Sequence, residues 1–133
     1  KQGGPAEARK KAVAALKLGA AQVLAVDHDP QAVIATRTNA ERNRVDDRLA
    51  VVHSDDFIQQ TADVVVANIL ANVLVQLAPM IGSLVRPGGR LVMSGILADQ
   101  ADAVTEAYAE RFTFASTKSR DEWVLLEGTR KAG

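Results

Sequence analysis

The chain has 133 residues, sixteen basic and sixteen acidic side chains, and no cysteine. That length suffices for one domain with a sizeable core. The balanced charge creates no global field for nucleic acid, a membrane surface or an acidic partner, and the missing thiol rules out disulfides and thiolate metal sites. The longest apolar runs, such as Val64 to Ala67, are far too short to cross a bilayer, and no signal-peptide pattern opens the chain. A reducing cytoplasm is therefore the expected location. Aromatics are only 4% of the chain, so the core must rest on Ala, Val, Leu and Ile.

Glu7 to Leu18 is rich in Ala, Lys and Leu and reads as a helix stopped by Gly19. Gln22 to Asp27 is a short apolar run ending in an acid, the pattern of a strand buried on both faces of a parallel sheet. Asp29–Pro30 opens a second helix, since Asp is a good N-cap and Pro suits the first helical position. That helix runs to about Asn43. Leu49 to His53 and Asp63 to Ile69 follow as strands. Leu70, Val73, Leu74, Leu77, Ile81 and Leu84 then form one broad helical stripe, broken by the turn chemistry of Pro87–Gly88–Gly89. A strand over Gly89 to Gly95 and a helix from Leu97 to Tyr108 come next. Phe112 to Lys118 and Trp123 to Glu127 read as a closing antiparallel hairpin. The alternation predicts an α/β domain over residues 1–133, mostly parallel, with helices on both faces. Only the first five residues look loose.

In such a sheet ligands bind beyond the carboxyl ends of the strands. Asp27 stands at the first such end, where a carboxylate can accept both hydroxyls of a ribose; its plainer alternative is a helix cap, the role that suits Asp29 better. Asp55 and Asp56 follow the second strand and could meet an adenine amino group with Phe57 or Ile58 against the ring; otherwise they form a solvated turn. No further His or acid lies at ligand spacing, so a metal is not expected. Asn68 closes the third strand, where its amide can accept from an amine and donate to a carboxylate, or cap the next helix. His28 and His53 read as structural or solvated, although His28, next to Asp27, is counted among the candidate cofactor contacts. Arg37, Arg42, Arg44 and Arg48 read as a solvated face suited to a helix C-terminus.

The stretches AALKLG (Ala14–Gly19), VLAVDHDPQAVIATRTNAERNRV (Val23–Val45), ADVVVANIL (Ala62–Leu70) and PGGRLVMSGIL (Pro87–Leu97) resemble the PrmA-type ribosomal protein methyltransferases. The resemblance covers about residues 12 to 128. It implies a Rossmann-like class I methyltransferase fold, S-adenosylmethionine as cofactor, and methylation of lysines and the N-terminal amine of the eleventh large-subunit ribosomal protein. Carried over by position, Asp27 is the ribose acid, Asp55 and Asp56 lie at the adenine, Asn68 lines the methyl-transfer site as its catalytic residue, and Ile69 and Leu70 wall the substrate side. Direct contact with nucleic acid or a membrane is not implied.

Two departures are expected from the same resemblance. The family carries a separate N-terminal substrate-recognition domain that this sequence lacks. A first strand and a glycine-rich loop should precede Ala12, where Gly3–Gly4 and the charged Arg9, Lys10 and Lys11 stand instead. The lost strand would lie between Gln22–Asp27 and Asp63–Ile69, leaving edges that must pair directly or attract another chain, so an oligomer is conceivable. A non-catalytic module with this fold is the main alternative; a nicotinamide-dependent oxidoreductase would share Asp27 but has no G-x-G-x-x-G.

Overall fold

The computed structural model describes residues 22–44, 47–54, 56, 61–120 and 122–132, with the backbone alone at 115–118 and 120. The expected helix over Glu7–Leu18 and the segment of the expected glycine-rich loop lie outside the described residues, as do Asp55, Phe57 and Ile58.

Among the described residues, six strands form one sheet in the order β2-β1-β3-β4-β6-β5. They are β1 (Val23–Asp27), β2 (Leu49–His53), β3 (Ala62–Asn68), β4 (Val85–Leu97), β5 (Phe112–Arg120) and β6 (Trp123–Arg130). The helices are α1 (Pro30–Arg42), α2 (Ala71–Gln76), α3 (Ala78–Ser83) and α4 (Ala101–Tyr108). The pairs β1·β2, β1·β3 and β3·β4 are parallel, while β4·β6 and β5·β6 are antiparallel. This is the Rossmann-like, mostly parallel arrangement with a C-terminal hairpin that the alternation predicts.

Why β1, β3 and the middle of β4 are apolar throughout is clear from their two faces. Leu24, Val26, Val65, Ala67, Leu91 and Met93 pack under α2, α3 and α4 through Leu74, Ile81 and Val104. The alternate residues Val23, Ala25, Val64, Val66 and Val92 meet Val33 and Ala40 of α1. Successive side chains of a strand point to opposite faces, so two covered faces require an unbroken apolar run.

One open alternative is resolved and two expectations change. β1 and β3 pair directly along their whole length, Val23 with Val64 through Asp27 with Asn68. Of the two alternatives for the sheet centre, direct pairing and association with another chain, the structure takes the first. The single stripe after β3 is two short helices, because Pro79 lacks an N–H to continue the ladder and instead sits in the first turn of α3. Pro87–Gly88–Gly89 does not end an element. It lies in an irregularity inside β4, where partners of β3 jump from Val85 to Arg90; Gly88 takes φ +81° there and a Cβ on Gly89 would stand 2.6 Å from the Asp63 carbonyl. Arg37, Arg42 and Arg44 are exposed, as the sequence suggests, and the Arg37 guanidinium also donates to the Val51 carbonyl at 2.7 Å.

At the far end of the sheet from the strand tips, Asp63 ties three strands. Its carboxylate accepts from the Gln22 backbone at 3.0 Å and from Arg86 at 2.8 Å.

Candidate functional site

Register places one row of polar residues across the carboxyl ends of the parallel strands. His53 is paired with Asp27, Asp27 with Asn68, and Asn68 with Ser94. The row beneath it is Val52, Val26, Ala67 and Met93, entirely apolar. Parallel strands end at the same rim, so residues far apart in sequence arrive side by side.

Asp27, Asn68 and Ser94 are buried, with 6%, 2% and 1% of their surface exposed. Their polar atoms are accordingly bonded. The Asn68 amide donates to Asp27 Oδ2 at 3.1 Å, and the Ser94 hydroxyl donates to Asn68 Oδ1 at 3.1 Å. Asp27 Oδ1 accepts from the Asp29 backbone N–H at 2.8 Å. Asp29 is the N-cap of α1, its carboxylate accepting from Gln31 N–H at 3.0 Å. Asp29 is therefore the helix cap, as the sequence suggests, and Asp27 in turn holds the Asp29 backbone. Asn68 does not cap α2, whose N-cap position is Leu70 and carries no side-chain bond.

The two strand-end side chains lie on the α1 side of the sheet. With Thr36, Val51 and Val66 they line a void of only about 10 Å³. A larger hollow of about 490 Å³ opens nearby, lined by His28, His53, Ser54, Ile69, Leu70, Val73 and Leu77. Its polar rim is held by backbone pairing: Ser54 N–H donates to the Asp27 carbonyl at 2.8 Å and His28 N–H to the Asn68 carbonyl at 3.1 Å. His53 Nε2 lies 3.0 Å from the His28 carbonyl. Leu70 is 53% exposed on the opposite wall. Asp56 is exposed beyond the rim, its N–H on the His53 carbonyl at 2.9 Å.

The structure thus brings Asp27 and Asn68 into contact and gathers His28, Ile69 and Leu70 around the hollow, but it separates these two groups. Ser94 is the site residue that residue-by-residue reading overlooks. The signal available for it is the small polar Ser94–Gly95 pair interrupting the apolar run of β4. No group of three or more His, Cys, Asp or Glu side chains able to hold a metal occurs among the described residues. None of the described helices is long and apolar enough to cross a membrane.

The sequence profile of the family "Ribosomal protein L11 methyltransferase (PrmA)" matches residues 11–131. A ribosomal protein L11 methyltransferase of Pectobacterium carotovorum subsp. carotovorum is 52% identical over 122 residues, covering 91% of this chain and 41% of that protein. One from Azotobacter vinelandii is 54% identical over 90% of this chain and 41% of its own length. The crystal structure of a ribosomal protein L11 methylase from Lactobacillus delbrueckii subsp. bulgaricus superposes with a TM-score of 0.68 at 30% identity, over 93% of this chain and 66% of that one. The chain spans about two fifths of the length of these curated relatives, 41% in both cases.

Proposed function

Because the chain belongs to the ribosomal protein L11 methyltransferase (PrmA) family, we propose that it supplies the catalytic fold for methyl transfer from S-adenosylmethionine to amino groups of that ribosomal protein. The observation that carries the reading is the family match across residues 11–131. With a ribosomal protein as its substrate, the protein would act in the cytoplasm, beside the ribosome. Residues 1–133 act as one methyltransferase-like domain in this reading.

The site residues keep the roles that their chemistry suits. Asp27 is the acceptor for a ribose diol, His28, Asp55 and Asp56 border the nucleoside, and Ile69 and Leu70 wall the amine side. Asn68 orients the amine; beyond Ser94, its Oδ1 retains a second lone pair for an N–H donor.

Chemistry and arrangement disagree at one point. Asp27 and Asn68 are bonded to each other, and the void they line, about 10 Å³, has room for about one water. Neither residue lines the 490 Å³ hollow. The pair as arranged does not fit the cofactor, and no transfer step is drawn through it. The same contact favours a second reading, a non-catalytic module that keeps the fold.

One experiment separates the two readings. This chain's sequence is grafted into the Pectobacterium carotovorum relative in place of the matching 122 residues, and transfer of labelled methyl from S-adenosylmethionine to ribosomal protein L11 is measured. The graft is expected to transfer methyl, and Asn68→Ala in it to lose on the order of 100-fold in turnover through misplacement of the amine. A silent graft beside an active parent protein would establish the non-catalytic module.

A further inference from the structure

β4 and β6 lose register between Met93 and Ile96, whose partners are Leu126 and Val124. Ser94 and Gly95 therefore stand together opposite Leu125. Two residues against one is the geometry of a bulge, which bends a strand and re-aims a side chain. Gly95 takes φ +83°, a backbone conformation that side-chain-bearing L-residues rarely adopt.

Both bulge residues act on the same atom. The Ser94 hydroxyl donates to Asn68 Oδ1 at 3.1 Å. A Cβ on Gly95 would stand 2.9 Å from that same Oδ1 and 3.5 Å from the Ile69 carbonyl. Asn68 Oδ1 thus occupies space that only glycine leaves open, and a buried hydroxyl holds it there. On the other side Asn68 Nδ2 faces Asp27 Oδ2 at 3.1 Å. Turning the amide over would set oxygen against carboxylate oxygen, an acceptor facing an acceptor.

We propose that Ser94 and Gly95 are positioning residues for Asn68, the bulge of β4 fixing both the place and the rotation of its carboxamide. The functional weight of that placement rests on the reading of Asn68 given above. The placement itself is a separate matter, and each is measured separately. A residue that merely satisfied a buried polar atom would affect stability alone. A positioning residue also sets where the Asn68 N–H bonds and the second lone pair of Oδ1 point.

The first measurement is the side-chain amide resonance pair of Asn68 in ¹⁵N-labelled chain, for the natural sequence, Ser94→Ala and Ser94→Thr. Ser94→Ala is expected to shift and broaden the pair, and Ser94→Thr, which keeps the hydroxyl, to restore it. Gly95→Ala is expected to displace the pair through contact of the new Cβ with Oδ1. An unchanged pair in Ser94→Ala would overturn the proposal, whatever the melting temperature does. The second measurement is kinetic, in the grafted enzyme. Ser94→Ala is expected to lower kcat roughly tenfold with KM for the cofactor little changed, and Ser94→Thr to recover it. Moved resonances with unchanged kcat would overturn the amine-orienting role of Asn68 while leaving the placement by Ser94 standing. A silent graft would overturn the proposed function, and the resonances alone would then decide the placement.

Discussion

The parallel half of the sheet and its antiparallel half are built from different materials. In β2, β1, β3 and β4 the interior is aliphatic, mostly Ala, Val and Leu with Met93 and Ile96, and β1, β3 and β4 bring the buried polar side chains Asp27, Asn68 and Ser94 into one row. Every aromatic residue among the described ones falls instead in α4 and the hairpin. Tyr108 and Phe112 meet edge to face with centroids 6.0 Å apart, and Phe112 and Phe114 follow at 6.4 Å. Gly128 lacks the Cβ that would strike the Phe114 ring at 2.7 Å. Antiparallel strands end at alternate rims, so the hairpin cannot gather side chains at one edge as four parallel strands do. The difference teaches that the parallel half concentrates chemistry, while the hairpin half concentrates packing area.

If that division holds, damage to the hairpin should cost stability without altering the site. Leu126, only 1% exposed on β6, is the largest expected case. Leu126→Ala is expected to lose about 2–5 kcal/mol in urea unfolding by leaving a cavity, with turnover per folded molecule of the grafted enzyme unchanged. A large fall in turnover at full folding would break the division. The reverse case is Asp27→Ala, which leaves the Asn68 amide and the Asp29 N–H without their acceptor. It is expected to cost less stability, about 1–3 kcal/mol, yet to cut methyl transfer and to move the Asn68 amide resonances. Unmoved resonances would show that the row is not a connected unit.

The smallest effect sharpens the comparison on the hairpin side through pH. Tyr108 donates to the Leu74 carbonyl at 2.8 Å, and burial pushes its phenol above the ordinary tyrosine range. The unfolded chain therefore gives up this proton first, at a pH of about 10. The stabilising contribution is complete below that pH and is lost as pH rises above it, by at most about 1.4 kcal/mol per pH unit. Unfolding titrations of the natural chain and Tyr108→Phe should diverge only above that point. A difference in slope at neutral pH would refute the assignment.

Local chemistry made much of this readable in advance. Continuous apolar runs closed by Asp27 and Asn68 signal doubly covered strands with a polar row at their ends, and Asp29–Pro30 signals the start of α1. The family stretches carried the fold and the candidate roles. What stayed hidden depends on partners distant in sequence. Nothing in VLAVD or DVVVAN states that the two segments lie side by side, because a strand covered on both faces carries no mark of its neighbour. The stripe from Leu70 to Leu84 concealed the break before α3, since two short helices packed on one face keep a common apolar side; Pro79 was the available sign. Pro87–Gly88–Gly89 reads as the end of an element, yet it lies within β4 as a register irregularity, after which the chain re-enters the same ladder. Ser94 gains its meaning only from the bulge that sets it beside Asn68.

The carboxylate of Asp63 has a mechanical consequence. By clasping Arg86 and the backbone of Gln22, which leads into β1, it rivets β1, β3 and β4 at one rim, while at the other rim two side-chain hydrogen bonds meet at Asn68. Any widening between Asp27 and Asn68 must then proceed as a fan spreads from its pivot, with displacement growing toward the strand tips. A guest admitted there would move the outermost residues most and leave the riveted end at rest.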